Sequence, residues 1–438
     1  MALNLPPAWG IEPVPDEHRT LGGFDLFILW SGLAFGLLVL TTGGFLASMD
    51  GPSALAAIVV GSAAGCVPLA LVSAAAARCP LPTMALLRGA FGVRGSLLPT
   101  GLNVFQLVGW TVLEIYIMAL LTSQLVGGGK EVLLGLVALF GAVVILMTVG
   151  GPQAVIKTWM KKFSIWVAYG AALYLMVAAA LQPGAGERWG ERGADAMGFA
   201  LAVDLVLVLP LSWMPLAADY GRFARSSRAS WGTFAGYFLL NVVTFTLGFL
   251  LFKTTGGADI GAALLVLPAG ALVLALLVTY ETDEAWADLY GSVLSLQNLR
   301  PKARQHLLAA VVGGLCAAAA VAVDSLGLFV TYELFIIAIG SLFIPIFGVL
   351  LVDLYVLKRP YEPRAVLDGS PPHSRGLRRP AFAAWGAGAL LYLLTTTLPL
   401  LAPVAVLSAS AGSLGSSLPS FAASAGLYWV LARGERTP

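Results

Sequence analysis

The chain has 438 residues, 58% of them hydrophobic and only 11% charged, with a mean hydropathy of +0.87 and a formal net charge of +2. Soluble domains carry about 25% charged residues, so this composition excludes a cytosolic enzyme, a disulfide-built secreted domain and a disordered chain. A near-neutral charge also leaves no basic face for nucleic acid.

The first 23 residues are Pro-rich and mixed in charge, without the basic and apolar regions of a signal peptide, and read as a cytoplasmic segment. Twelve apolar segments follow, at about 24–48, 54–77, 97–124, 131–149, 163–182, 197–217, 230–252, 262–293, 305–323, 326–355, 380–398 and 416–432. They repeatedly reach the roughly 20 residues that cross a bilayer as helix. Their continuity excludes a β-barrel, and backbone in lipid must satisfy itself, so helices are required. The expected fold is an all-α polytopic membrane protein with 12 transmembrane helices.

With the N-terminus placed in the cytoplasm, only Lys130, Arg188, Arg192 and Lys253 of the 25 basic residues fall outside. That asymmetry follows the positive-inside rule and puts both termini in the cytoplasm. Residues 356–379 read as a basic, Pro-rich cytoplasmic loop that fixes topology. It separates ten helices from a final pair at 380–432, which is followed by a short tail, 433–438. Cys66, Cys79 and Cys316 lie in or beside apolar segments without CxxC spacing, so neither a metal centre nor a disulfide framework is indicated.

Two segments are interrupted in matching ways. The first carries Trp30-Ser31-Gly32-Leu33-Ala34-Phe35-Gly36 and the sixth Pro210-Leu211-Ser212-Trp213-Met214-Pro215. They correspond if segments 1–5 (24–182) and 6–10 (197–355) are repeats, and an odd number of helices makes the second repeat inverted. Paired interruptions of this kind point to a midplane binding site, with freed carbonyls and half-helix ends as ligands. Gly61 and Gly65 read instead as helix-packing contacts.

Ionisable residues at mid-bilayer cost about 2.5–3.5 kcal/mol each and therefore need a reason. In the third segment Gln106, Trp110 and Glu114 recur every four residues, on one helix face. A planar heterocycle can stack on Trp110 and donate an N–H to Glu114, as cytosine N4 donates to acidic side chains. In the eighth segment Glu281, Glu284 and Asp288 share a face, with Thr279, Thr282 and Asp283 on the adjoining one. These are hard oxygen donors suited to a cation such as Na⁺. Buried carboxyls also suit proton carriage, and spacing alone does not separate the two ions. Asp204 and Glu333 each stand alone, which suits helix-packing hydrogen bonds, and Asp219 can pair locally with Arg222 as a helix-end clamp.

These features resemble the nucleobase:cation symporter-1 family, the cytosine, purine and hydantoin permeases. The resemblance covers about residues 10–355. It rests on GIEPVPDEHRTLGGFDLFILW at the N-terminus, LNVFQLVGWTVLE in the third segment, PLAADYGRFAR after the sixth and ETDEAWADLYGSVLSLQNL in the eighth. It implies a LeuT-like 5+5 inverted repeat with two extra helices, alternating access and cation-coupled uptake of a flat nitrogen heterocycle.

By that similarity Trp110 stacks on the substrate, Glu114 holds it and Asp288 is a second polar contact. Trp213 stands about one turn from an expected second aromatic. Gly32 at the first break and Glu284 on the acidic face complete the candidate substrate set, with Gln106. Backbone oxygens around Ala34 and Leu37 with Thr279, Thr282 and Asp283 form the implied sodium-type site. Asp283 and Glu284 replace neutral residues typical of sodium-coupled members, which leaves H⁺ and Na⁺ both open. Cytosine and hydroxymethylpyrimidine both carry the aminopyrimidine that suits Glu114, and a purine or hydantoin is the alternative within the family.

The expectation is therefore a multi-pass carrier of the inner (plasma) membrane, working as a monomer, with a nucleobase-like small molecule and the lipid bilayer as partners. No cofactor is expected, and no metal beyond Na⁺. Enzymatic function is not expected: His18, His306 and His373 lie near or outside span ends, and HExxH, GxSxG and Walker loops are absent. A non-transporting membrane sensor is the remaining alternative from another class.

Overall fold

The computed structural model describes residues 9–256, 259–323, 332–401 and 415–434, the side chains of 332–334 and 397–401 excepted. Glu333 and Arg436 thus lie outside the described side chains, as do residues 326–331 of the tenth predicted segment. Among the described residues there are helices and no named strands, with one isolated bridge between Leu21 and Ala224.

The first segment is two helices, α1 (Gly23–Gly32) and α2 (Leu37–Gly44), bent by 61° where the glycines flank the break. α3 (Gly51–Arg78) starts where Asp50 accepts the Ser53 N–H at 2.9 Å and Pro52 fills the first turn. The Ser53 bonds, with Arg192 beside them, hold the Asp50 carboxyl down at about 2. A short helix unforeseen in the sequence, α4 (Thr83–Phe91), is wholly buried; its Arg88 is satisfied by Asn298 and the Leu367 carbonyl.

α5 (Leu97–Val126) ends on Gly127 at φ 70°, the left-handed closing residue that glycine adopts without strain. α6 (Lys130–Gly150) and α7 (Pro152–Ala180) follow, α7 beginning with a π-helical stretch, Val155–Ser164. The sixth segment is α8 (Phe199–Ser212) and α9 (Met214–Gly221), which meet at Trp213. α10 is Trp231–Thr255. The eighth segment, expected as one helix, is interrupted at Glu281 into α11 (Gly270–Tyr280) and α12 (Thr282–Leu299). α13 (Gln305–Ala320), α14 (Tyr332–Leu351), α15 (Arg379–Leu401) and α16 (Ser417–Ala432) complete the bundle. By length and apolarity seven described helices are single spans, and the bent α1–α2 pair makes an eighth.

Close packing explains the small residues. A Cβ on Gly61 would meet the Val203 carbonyl at 2.6 Å, and one on Gly65 would meet Pro210 at 2.4 Å. Both positions thus let α3 lie against α8. Large side chains such as Leu146, Leu173 and Leu315 face outward, which in this protein means toward lipid.

The isolated acids have structural work. Asp204 on α8 accepts the N–H groups of Ser416 and Ser417, capping α16 from a neighbouring helix. Asp219 and Arg222 form no ion pair with each other, contrary to the local clamp expected. Asp219 accepts the Thr83 N–H at 2.8 Å, while Arg222 donates to the Gly10 carbonyl and the Tyr290 hydroxyl. A residue not singled out in the sequence, Asp353, is fully buried and gathers Arg359, Arg378, Tyr361 and Tyr428. The 356–379 loop is therefore docked onto the bundle, in addition to any role in topology.

Candidate substrate site

The helix breaks and the acidic faces converge. α5 brings Trp110 and Glu114 on consecutive turns, and α12 brings Glu284 and Asp288 from the opposite side. α2 adds Leu38 and Val39, and the α8–α9 junction adds Leu209, Ser212 and Trp213. Together they line one cavity. Its free volume, about 30 Å³, holds water-sized groups and is too small for a heterocycle, so admitting one requires a lining element to move.

Glu114 and Asp288 are 1% and 3% exposed, and both turn into this one cavity. An ionised carboxylate only accepts, so two such groups in one closed cavity call for a donor or a proton. Among the described residues no lysine or arginine forms an ion pair with Glu114, Glu281, Asp283, Glu284 or Asp288. Glu114 Oε2, Glu281 Oε1 and Glu284 Oε1 are buried without a hydrogen-bond partner among the described residues. The arrangement thus offers buried, unpartnered acceptors between aromatic walls. Trp213 meets Trp30 edge-on with ring centroids 6.4 Å apart. Trp110 is covered by Phe335 of α14, at 5.1 Å and 66°. Phe335 was not anticipated, since one Phe in an apolar run carries no distinguishing signal.

Two members of the expected substrate set stand elsewhere. Gln106 shares the Trp110 face but lies about 12 Å from Glu114 along the helix, from the rise of 1.5 Å per residue. It donates to Asn103 at 2.7 Å, and Asn103 donates to Ser295 at 2.9 Å, tying α5 to α12. Gly32 faces Met160 and Tyr280, so its missing side chain makes room for helix packing.

The expected cation ligands each take part in hydrogen bonds of their own. The Ala34 carbonyl accepts from Thr244 Oγ1 at 2.8 Å, and the Leu37 carbonyl accepts from Thr41 Oγ1 at 2.8 Å. Thr279 is exposed on the outer surface and donates to the Ala275 carbonyl, while Thr282 donates to the Thr279 carbonyl. Asp283 accepts from Trp159 Nε1 at 2.5 Å and Ser164 Oγ at 2.7 Å, both on α7. Glu281 itself reaches the first break, where its Oε2 accepts the Leu37 N–H at 2.9 Å. Glu284 lies against Gly36, where a Cβ would stand 2.2 Å from its Oε1. Among the described residues no group of His, Cys, Asp and Glu has a metal-holding arrangement.

An all-α membrane bundle with a broken first helix, closed around a buried acid and aromatic cavity, has the architecture of a membrane permease. Comparison with solved structures agrees on the fold. Mhp1, a nucleobase-cation-symport-1 family transporter in a closed conformation with bromovinylhydantoin bound, superposes with a TM-score of 0.74 at 18% identity. That match covers 98% of this chain and 95% of Mhp1. A Na⁺-coupled sialic acid symporter superposes at 0.65 and 12% identity, covering 95% and 91%.

The family of permeases for cytosine/purines, uracil, thiamine and allantoin matches residues 13–414, and the chain belongs to it. Relatives include the putative purine-cytosine permease YxlA of Bacillus subtilis (strain 168), 26% identical over 387 residues and 83% of each chain. The cytosine permease of Escherichia coli (strain K12) is 26% identical over 367 residues, 80% of this chain and 81% of that protein. The resemblance carried by the sequence motifs is borne out at the level of family and fold.

Proposed function

We propose that this permease imports a planar aminopyrimidine, of the cytosine or hydroxymethylpyrimidine type, across the plasma (inner) membrane by proton-coupled alternating access. The observation that carries the reading is the one cavity that Glu114 and Asp288 line together with Trp110 and Trp213. An aminopyrimidine edge presents N–H donors beside a ring-nitrogen acceptor, and a carboxylate paired with a carboxyl group matches both. The ring face would stack on indole, a contact worth about 1–3 kcal/mol per base. Trp110, Glu114, Trp213, Glu284 and Asp288 are the proposed substrate contacts, and Gln106 supports them through Asn103.

Proton coupling is favoured over sodium because Glu114, Glu281, Asp283, Glu284 and Asp288 are buried without a basic ion-pair partner among the described residues, the setting in which a carboxyl carries a proton. One proton entering at −150 mV supplies about 3.5 kcal/mol, roughly several hundred-fold accumulation at 1.4 kcal/mol per decade. The reading includes cytoplasmic termini, two inverted five-helix repeats with two further helices, and a working monomer. It is one of transport without catalysis; counterflow of labelled substrate separates a carrier from a sensor.

The test is uptake of labelled cytosine and hydroxymethylpyrimidine into proteoliposomes, with an inward proton gradient or an inward Na⁺ gradient. Proton-driven uptake that falls at least about tenfold in Glu114→Gln and in Trp110→Ala is expected, one decade being about 1.4 kcal/mol of lost interaction. Unchanged uptake in both variants would overturn the site, and uptake driven by Na⁺ alone would overturn the coupling. Preference for a purine or hydantoin in the same assay would replace the aminopyrimidine.

A further inference from the structure

The π-helical start of α7 has two faces. Inward, Trp159 and Ser164 reach Asp283 on α12, as described. Outward, Lys157, Lys161 and Lys162 meet Arg225, which follows α9, around an open pocket of about 410 Å³ completed by Thr20 and Asp25. Four bases from two separate stretches thus surround one acid. That acid is already engaged, since Asp25 pairs with Lys161 at 2.7 Å and accepts the Gly22 N–H at 2.9 Å. Lys157 donates to Thr20 Oγ1 at 2.7 Å. Lys162 and Arg225 are exposed, and among the described residues neither side chain has a hydrogen bond or ion pair.

The surroundings place this pocket at a membrane boundary. Phe24, Phe163, Trp166 and Trp231 are each about half exposed, at 51%, 49%, 57% and 54%. Trp166 Nε1 donates to the Lys161 carbonyl at 3.0 Å, and Trp231 packs on Phe27 with centroids 6.2 Å apart. Exposed aromatic rings with one polar edge concentrate where hydrocarbon meets headgroup. Bases that serve only to set topology need not converge, whereas these enclose a pocket beside such a belt. Basic pockets between helices on the cytoplasmic side bind anionic headgroups.

We propose that this pocket binds the phosphate of an anionic phospholipid, with Lys162 and Arg225 as direct donors and the aromatic belt against its acyl chains. The guanidinium fork and the ammonium suit phosphate oxygens as a bidentate and a point-charge partner. The bound lipid would bridge α1, α7 and the end of α9, and α7 is the helix that holds Asp283 and packs Met160 against Gly32. This inference does not depend on which heterocycle is carried.

The test uses the full chain in nanodiscs of phosphatidylcholine with rising phosphatidylglycerol, reading lipids retained in native mass spectrometry and the melting temperature. Phosphatidylglycerol should be retained preferentially and raise the melting temperature. The double variant Lys162→Gln with Arg225→Gln should lower retention about tenfold, equivalent to about 1.4 kcal/mol. Lys162→Arg with Arg225→Lys keeps both charges and should restore it, so a folding defect is distinguishable from a lost site. Lys302→Gln with Arg304→Gln, in the α12–α13 loop, should retain lipid as the unaltered chain does. Equal retention by the charge-removed and unaltered chains would overturn the proposal. Equal stabilisation in lipid-free detergent by millimolar inorganic phosphate would also overturn it, by assigning the pocket to a soluble anion.

Discussion

Between α1 and α2 the chain bends by 61°, whereas α8 and α9 continue through Trp213 as a single 23-residue span. The two regions carry similar helix-breaking residues but expose different groups. At the first, a full turn is lost between Gly32 and Leu37, and the freed Leu37 N–H is met by the Glu281 carboxyl. At the second, the Leu216 N–H reaches back to the Trp213 carbonyl, and Pro215 sits in the first turn, where its missing donor costs nothing. The open break therefore receives a carboxyl group from the α11–α12 junction, while the nearly continuous one offers an aromatic ring to the cavity. In a medium without water, how far a helix opens decides whether it calls for a partner.

The largest expected effect comes from closing the contact at the first break. Gly36→Ala puts a Cβ 2.2 Å from Glu284 Oε1, and overpacking of about 1–3 kcal/mol should reduce proteoliposome uptake roughly 10- to 100-fold. Ser212→Ala at the second break removes a cavity-lining hydroxyl bonded to the Leu209 carbonyl and should cost less, under about tenfold, in the range of about 0.5–1.5 kcal/mol for one hydrogen bond. Equal losses would erase the difference between the breaks.

Next comes Glu281. Glu281→Ala leaves the Leu37 N–H buried and unpaired, at a cost of about 1–3 kcal/mol, so the melting temperature in detergent should fall. Glu281→Gln retains a carbonyl acceptor and should melt close to the unaltered protein. If Ala and Gln melt alike, the carboxyl does not hold the break open.

Trp213→Ala tests the other side. Losing one stacking wall should weaken substrate binding about tenfold, the low end of the 1–3 kcal/mol measured for such contacts, and lower the melting temperature as the Trp30 contact is lost. A fall in maximal uptake without a change in affinity would make Trp213 a packing residue of α1. The smallest effect belongs to Thr279→Ala, which removes a hydroxyl bonded only to its own helix on the outer surface. Uptake and its response to Na⁺ should stay within about twofold, in the range of ordinary surface changes; a lost Na⁺ response would reassemble the sodium-type site at this position.

Much of the architecture was legible because lipid permits few solutions. Long apolar runs had to be helices, and every predicted segment has a helical counterpart within the described residues. The face shared by Trp110 and Glu114 followed from a four-residue spacing, and it lines the cavity. Gln106 obeyed the same periodicity and still missed, because spacing reports the side of a helix and not the height along it. In the sequence Glu281 is one acid among several on a helix expected to be unbroken. No glycine or proline marks that position, and the interruption becomes visible only where the carboxyl meets Leu37. Lys157, Lys161, Lys162 and Arg225 were counted as topology signals, and their pocket exists because folding brings α7 beside the end of α9.

The sequence by itself determined that this protein lives in a bilayer, that it is helical, that it belongs with nucleobase permeases, and that a few acids must be buried. Hydrophobicity, periodicity and order of motifs are local properties, and they survive translation into structure without knowledge of neighbours. Only the tertiary structure decided which acids meet. Glu114 faces Asp288 across two helices, Asp283 turns to α7, and Glu281 closes the first break. Those pairings depend on helix height, phase and crossing, which packing sets and spacing along one chain does not encode.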